Sequence, residues 1–289
     1  MEFSYYPGCV LHSTAWEYDA SLRAVCERLG IRLWELEDWN CCGATSAHSL
    51  NGELALLLPA RNLVIAEQQG LDLLVPCAAC YHRSKATAVL LATDPAARAK
   101  VEEVFEQPYE GRFQIRHLLE VLGEESTLQQ LRERVQRPLT GLKAVSYYGC
   151  LLVRPPKVTG AANYEAPDSM DRILAVLGAT PLPWSYKTDC CGGGLALTRP
   201  DVVERLVDRL CTMAQEAGAE CIVTACPLCQ SNLDLRQQQA AARFGRDYEL
   251  PVFYLSELVA LALDGPQMAR WWGKHLVEPG KLLRAKGWE

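Results

Sequence analysis

Short apolar runs alternate with longer stretches of helical period along most of the chain, and the alternation occurs twice. Phe3 to Tyr6 has the length and composition of a strand, and Leu22, Val25, Cys26 and Leu29 then share one face of a helix running from about Thr14 to Leu29. Ile31 to Leu36 predicts a second strand and Glu53 to Gln69 a helix. Leu71 to Val75, apolar but for Asp72, predicts a third strand with more helix behind it. From Ala144 the order repeats: a strand to Tyr147, a helix near Asp168 to Leu177, and a short strand near Pro181 to Pro183. A helix then starts near Pro200, with proline in its first turn and Gly218 just past its end, and Cys221 to Thr224 is the equivalent last strand. Val252 to Leu255 with a helix over Ser256 to Leu263 adds a closing unit, and an acidic–apolar helix over Glu120 to Val135 links the halves. Strands alternating with covering helices predict the α/β class. The expected architecture is two tandem, pseudo-symmetric domains, 1–140 and 141–289, each a small parallel sheet with flanking helices, the second carrying a C-terminal tail.

Composition narrows the function classes. Of 289 residues, 49% are hydrophobic and 22% charged, enough for a real core, and the net charge of −6 gives no electrostatic case for nucleic acid. No apolar run approaches the roughly 18 residues of a membrane span. Met1-Glu2-Phe3-Ser4 lacks the basic and apolar regions of a secretory signal, so a cytoplasmic location is expected. Against that background 13 cysteines are anomalous. A disulfide framework suits a short secreted chain with an even count, and this chain is neither.

The cysteines repeat as the strands do. Tyr5-Tyr6-Pro7-Gly8-Cys9 is answered by Tyr147-Tyr148-Gly149-Cys150, Cys41-Cys42-Gly43 by Cys190-Cys191-Gly192, and Cys77-Ala78-Ala79-Cys80 by Cys226-Pro227-Leu228-Cys229. The last two motifs are displaced by 149 residues and the first by 141, which places an insertion between Arg154 and Pro167. Cys26, Cys211 and Cys221 have no counterpart and read as packing cysteines; Cys211 shares a helix with Val203, Leu206, Leu210 and Met213. Each remaining cysteine motif follows a predicted strand, and in a parallel sheet all those carboxyl ends lie on one edge. Five thiolates per half, two of them adjacent, fit a tetrahedral zinc site poorly and an iron–sulfur cluster well. A thioredoxin-like dithiol would leave three cysteines per half without use.

A single cysteine, then CCG, then C-x-x-C about 35 residues on, occurring twice, resembles the cysteine-rich CCG domain. Two such domains, with the Tyr-Tyr openings and Asn163-Tyr164-Glu165-Ala166-Pro167, are similar to the B-type subunits of heterodisulfide reductase. The resemblance implies two non-cubane 4Fe–4S clusters, one on Cys9, Cys41, Cys42, Cys77 and Cys80, the other on Cys150, Cys190, Cys191, Cys226 and Cys229. It implies an oxidoreductase subunit that cleaves or forms a disulfide between those clusters, acting on a small thiol or disulfide substrate. Electrons would come through a ferredoxin-like 4Fe–4S partner and a flavoprotein, as separate subunits of one complex. CCG pairs also occur in lactate-utilisation proteins and in glycolate-oxidising and succinate dehydrogenase-type complexes. The alternative is therefore an electron-relay or anchoring subunit of a complex oxidising succinate or a hydroxy acid.

Three histidines lie near first-half motifs, His12, His48 and His82, and are candidate proton donors to a departing thiolate; a solvated or structural role is the competing reading. The tail Arg270-Trp271-Trp272-Gly273-Lys274-His275, continuing to Lys281, Arg284, Lys286 and Trp288, mixes cations with indoles. Such a tail either contacts a membrane peripherally, at the inner face, or a partner, or else packs on its own domain. Gly192-Gly193-Gly194 lacks the nucleotide-binding fingerprint, so no flavin or nicotinamide site is assigned.

Overall fold

A computed structural model describes residues 1–44, 47–264 and 268–288. The first half contains the strands β1 (Glu2–Tyr5), β2 (Arg32–Glu35), β3 (Leu73–Leu74) and β4 (Ile115–Arg116), all parallel, in the order β2-β1-β3-β4. The second contains β5 (Lys143–Tyr147), β6 (Thr180–Pro181), β7 (Cys221–Thr224) and β8 (Val252–Tyr254), again all parallel, in the order β6-β5-β7-β8. The two sheets thus have one topology used twice. In the first half the helices are α1 (Trp16–Leu29), α2 (Ala47–Leu50), α3 (Gly52–Gln69), α4 (Ala78–Thr93), α5 (Pro95–Phe105), α6 (Leu118–Leu122) and α7 (Glu125–Arg134). In the second they are α8 (Pro156–Thr159), α9 (Ser169–Val176), α10 (Pro200–Glu216), α11 (Pro227–Phe244), α12 (Leu255–Ala262), α13 (Met268–Trp272) and α14 (Gly280–Lys286).

Local chemistry accounts for these boundaries. Asn51 caps α3 through its side-chain oxygen, which accepts from the amides of Glu53 and Leu54, and Asp94 does the same for α5. Two expectations change. The helix expected over Glu120 to Val135 is two helices, because Gly123 ends α6 and Glu124 takes extended backbone before α7. The first half also has its own closing unit, β4 and α6, the counterpart of β8 and α12. Its strand is two residues long with one apolar side chain, too short to show a period. It forms because β3 offers an unpaired edge, Leu73 opposite Ile115 and Leu74 opposite Arg116.

The halves share one continuous hydrophobic core. Helix α1 of the first packs on α12 of the second, where Ser21 and Ser256 hydroxyls meet at 2.7 Å and the Tyr18 and Tyr254 rings stack at 4.3 Å. The inserted segment after Cys150 reaches back the other way, with α8 against α4.

The tail is part of this core. Trp271, Trp272 and Trp288 are only 4%, 7% and 7% exposed, so of the alternatives open for the tail its indoles take the one in which it packs on its own domain. Among its cations, Lys274 lies over the Trp16 ring and Lys286 pairs with Glu220 and the Gly141 carbonyl. His275 is the buried fastener. Its Nε2 meets Glu257 at 2.9 Å, and Asp234 nearby accepts from the amides of Leu276 and Val277. Burial opposes a charge on His275, but the facing Glu257 carboxylate, with Asp234 and Glu17 behind it, prevails and raises the imidazole from 6.5 to about 9. The folded value lies above the unfolded one, so this contribution is complete below about pH 6.5 and lost as pH rises through about 9. Its size is on the order of 3 kcal/mol. Urea unfolding of the wild type against His275→Gln across that window should show the difference in stability shrinking as pH rises; a pH-independent difference would remove the ion pair.

Candidate metal centre

In each half the first three strands deliver the cysteines to one sheet edge. The turn after β1 carries Cys9, the segment after β2 carries Cys41 and Cys42, and Cys77 closes β3 as the N-cap of α4, with Cys80 in the helix's first turn. The turn after β5 carries Cys150, the segment after β6 carries Cys190 and Cys191, and Cys226 caps α11 with Cys229 behind it. Six of the ten are buried (Cys42, Cys77, Cys80, Cys191, Cys226 and Cys229), Cys9, Cys41 and Cys190 are exposed, and Cys150 is half-buried. Each set therefore has a buried floor and a solvent-facing rim.

The sulfurs converge. Cys9 and Cys41 Sγ are 3.4 Å apart and Cys42 and Cys80 Sγ 3.3 Å, with Cys41 hydrogen-bonded to Cys42 and Cys77 to Cys80, so all five first-half cysteines form one run. In the second half Cys150 and Cys190 lie 3.9 Å apart and Cys191 and Cys229 3.7 Å, with Cys226 hydrogen-bonded to Cys229. Hydrogen bonds from the Cys42 and Cys9 thiols hold Cys41 well below the usual thiol range, the Gly43 amide assisting, and the shared proton raises Cys9. Cys190 is lowered in the same way by Cys150 and the Gly192 amide. The Cys80 thiol lowers Cys77 against its own burial, with the Cys80 and Ala79 amides of the α4 N-terminus assisting. Each nest is thus disposed to present thiolates.

Two glycines show how tightly the loops close over the sulfurs. A Cβ at Gly8 would sit 2.8 Å from Cys80 Sγ and one at Gly149 would sit 2.9 Å from Cys229 Sγ, and both residues have positive φ (+76° and +65°). Around them, Tyr6 donates its hydroxyl to the carbonyl of Asn40, just before Cys41, and Tyr147 donates to Asp189, just before Cys190. Asn232 holds the Cys191 carbonyl, and the Lys187 carbonyl accepts the amides of Tyr148 and Gly149. Among the described residues no three His, Cys, Asp or Glu side chains are placed to hold a single metal ion. Close sulfur pairs in sequence, rather than ligands closing round one point, fit a group of several metal and sulfide atoms better than one zinc ion. Cys26, Cys211 and Cys221 are buried in the core, and burial pushes each thiol up, Cys26 to about 12.

The three candidate histidines stand apart from the sulfurs: none hydrogen-bonds a cysteine. His12 is 46% exposed, meets Glu35 at 3.0 Å and edges onto the Trp39 ring. His48 is exposed on α2 beside Ser49. His82 is half-buried, its Nε2 is buried without a partner, and burial lowers its pKa.

A fourth histidine and a tyrosine, neither close in sequence to a cysteine motif, join the two nests. The Tyr18 hydroxyl lies 3.2 Å from the Pro76 carbonyl and 3.2 Å from the Ala225 carbonyl, the residues just before Cys77 and Cys226. His117 Nε2 lies 2.7 Å from the same Pro76 carbonyl. Nothing in the local sequence of His117 distinguishes it. Beside it a cavity of about 350 Å³ opens between the halves, lined by Tyr81 next to Cys80, by Leu152 and Val153 after Cys150, and by Asn163 and Pro167 of the inserted segment.

Over 97% of this chain and 99% of the relative, the sequence is 33% identical to the 8-methylmenaquinol:fumarate reductase membrane anchor subunit of Wolinella succinogenes. It is 30% identical, over 91% of this chain and 89% of the other, to a B-type subunit of the ferredoxin:CoB-CoM heterodisulfide reductase of Methanosarcina mazei. The glycolate oxidase iron-sulfur subunit of Escherichia coli is 28% identical over 78% of this chain and 52% of its own length. Among solved structures, a hypothetical protein from Helicobacter pylori shares the fold with a TM-score of 0.78 at 14% identity, covering 96% of this chain, which spans about half (52%) of that protein. The three sequence relatives are named as subunits of oxidoreductases, one of them an iron-sulfur subunit, and the two nests are the places in this chain where such a group would fit. Gly8→Ala and Gly149→Ala should each lower the iron bound per chain, measured after anaerobic purification, because each displaces one nest's sulfur; full iron in both would show that the loops yield. The sequence model of the family described as CCG, cysteine-rich domain, matches residues 3–83 and 144–234, the spans holding the two nests, and the chain belongs to that family.

Proposed function

We propose that the chain is the iron–sulfur subunit of a heterodisulfide reductase-like complex, making or breaking a disulfide in the space between its two nests. The observation that carries this reading is the attachment of both repeats to one buried point. The carbonyls before Cys77 and Cys226 share the Tyr18 hydroxyl, so they are no farther apart than the sum of their two distances to it. Cys9, Cys41, Cys42, Cys77 and Cys80 would hold one non-cubane 4Fe–4S cluster, and Cys150, Cys190, Cys191, Cys226 and Cys229 the other. When bound, the two clusters would together supply the two electrons of a disulfide and iron soft enough for thiolate sulfur.

The chain's own residues do the remaining work. Gly8 and Gly149 let the loops close, and Tyr6 and Tyr147 fix the segments bearing the paired cysteines. The cavity walled by Leu152, Val153 and Tyr81 would give a substrate lodged between the halves a partly apolar wall. A departing thiolate would take its proton from His12, His48 or His82; the exposed His12 and His48 could exchange theirs with solvent, His12 beside its Glu35 partner. A ferredoxin-like 4Fe–4S subunit and a flavoprotein would bring the electrons. The location would be cytoplasmic or at the inner membrane face. No helix among the described residues is long and apolar enough to cross a membrane, and the tail indoles are buried, so attachment would run through a partner protein.

Similarity to a fumarate reductase anchor subunit over nearly the whole of both chains supports a second reading, in which the nests relay electrons from a quinol. Electron paramagnetic resonance of the iron-loaded chain separates the two. Small aliphatic thiols should alter the spectrum of the oxidised protein; a spectrum indifferent to thiols, with rapid reoxidation of the reduced protein by a menaquinone analogue, favours the relay. If the first reading holds, replacing one of the three histidines by glutamine should lower disulfide turnover about tenfold or more. Unchanged rates at all three would exclude them as donors.

A further inference from the structure

Pro76 and Ala225 occupy equivalent places in the two repeats, 149 residues apart like the cysteines they precede. Their carbonyls are two acceptors from different halves, drawn together in the deepest part of the molecule, and two side chains face them. Tyr18 is fully buried and His117 is 1% exposed. We infer that Tyr18 and His117 are positioning residues that set the separation of the two nests and, through it, the electronic interaction between the centres they hold; this rests on the reading that both nests carry clusters.

Hydrogen-bond supply and demand assign the roles. The Nδ1 of His117 accepts the Leu119 amide at 3.2 Å, and Glu120 reaches back to the His117 amide at 2.6 Å. The imidazole is thereby fixed as the N-cap of α6 with its proton on Nε2, 2.7 Å from the Pro76 carbonyl. A phenol gives one proton only. His117 also reaches the Ala225 carbonyl, so both side chains face both acceptors, and their two protons together serve the two carbonyls. Neither donor alone satisfies both acceptors, and a buried carbonyl left without a partner is costly enough to move backbone.

Both donors are also held in place by rings of their surroundings. Tyr18 stacks on Tyr254 with 3° between planes, and Tyr254 precedes α12 as His117 precedes α6, each with its amide held by the glutamate three residues on. His117 meets the Tyr81 ring edge-on at 5.6 Å. Movement of either carbonyl turns the next peptide, and that peptide carries the first cysteine of a C-x-x-C pair at the head of α4 or α11. Magnetic and electronic coupling between two centres falls steeply with their separation, so a small displacement here is readable as a spectrum.

The test uses the full chain loaded with iron. Tyr18→Phe removes one oxygen and keeps the stacked ring, His117→Leu removes the imidazole donor, and His117→Gln keeps an N–H that reaches the carbonyl. Iron per chain should match the wild type in all three. In the fully reduced protein the line splitting from interaction between the centres should fall roughly twofold or more in Tyr18→Phe and His117→Leu, and return in His117→Gln. Superimposable spectra and midpoint potentials in the wild type and Tyr18→Phe, at equal iron, would overturn the inference, and that variant decides alone if leucine at 117 prevents folding. Wild-type chain carrying iron for a single cluster would instead overturn the reading of two centres, and this inference with it.

Discussion

Crowding of sulfur at the carboxyl edges of two parallel sheets is the constraint on which the rest of the structure depends. Thiols only 3.3–3.9 Å apart must share protons or shed them, and Cys41, Cys77 and Cys190 are lowered chiefly by hydrogen bonds from neighbouring thiols, with backbone amides assisting. Strands are needed to bring motifs some 35 residues apart to one edge, and parallel strands require the covering helices between them. Glycine is required where a loop passes over a sulfur with no room for a Cβ. Fold and site are in this sense one solution, repeated.

The repetition is not perfect, and the departures fall between the halves. The insertion after Cys150 supplies α8 and the Asn163 and Pro167 walls of the cavity, and it docks on the first half: Tyr81 and Lys85 both donate to the Thr159 carbonyl. Lys187, paired with Asp171, holds the Pro167 carbonyl at the other end of the insertion, while its own carbonyl holds the turn before Cys150. A feature absent from the first repeat thus links the second nest to the space between the two. The tail adds a further asymmetry. Its indoles and His275 close the core behind α12, which packs on α1, the helix bearing Tyr18.

Much of this was legible from residue order alone. The spacing of ten cysteines fixed which sulfurs belong together, because each motif stands at the end of an apolar run whose strand can only be parallel to its neighbours. Both Tyr-x-Gly-Cys turns were equally visible, although the tyrosine hydroxyls that tether Asn40 and Asp189 were not. The closing strand at Ile115 was hidden, since two residues cannot display a period and its existence depends on an edge offered by β3. The tail read equally well as a surface anchor or as a packed segment, because alternating cations and indoles serve either purpose. Only its contacts with Trp16, Glu257 and Glu220 decide the matter.

By itself, then, the order of residues determined the repeat, the α/β class and the membership of each cysteine set, all of which follow from local period and spacing. How the repeats face each other was decided by tertiary structure. Tyr18 and His117 lie 99 residues apart and meet carbonyls 149 residues apart. Contacts of that range carry no local pattern, since they arise only when two folded sheets bury their remaining polar groups against one another.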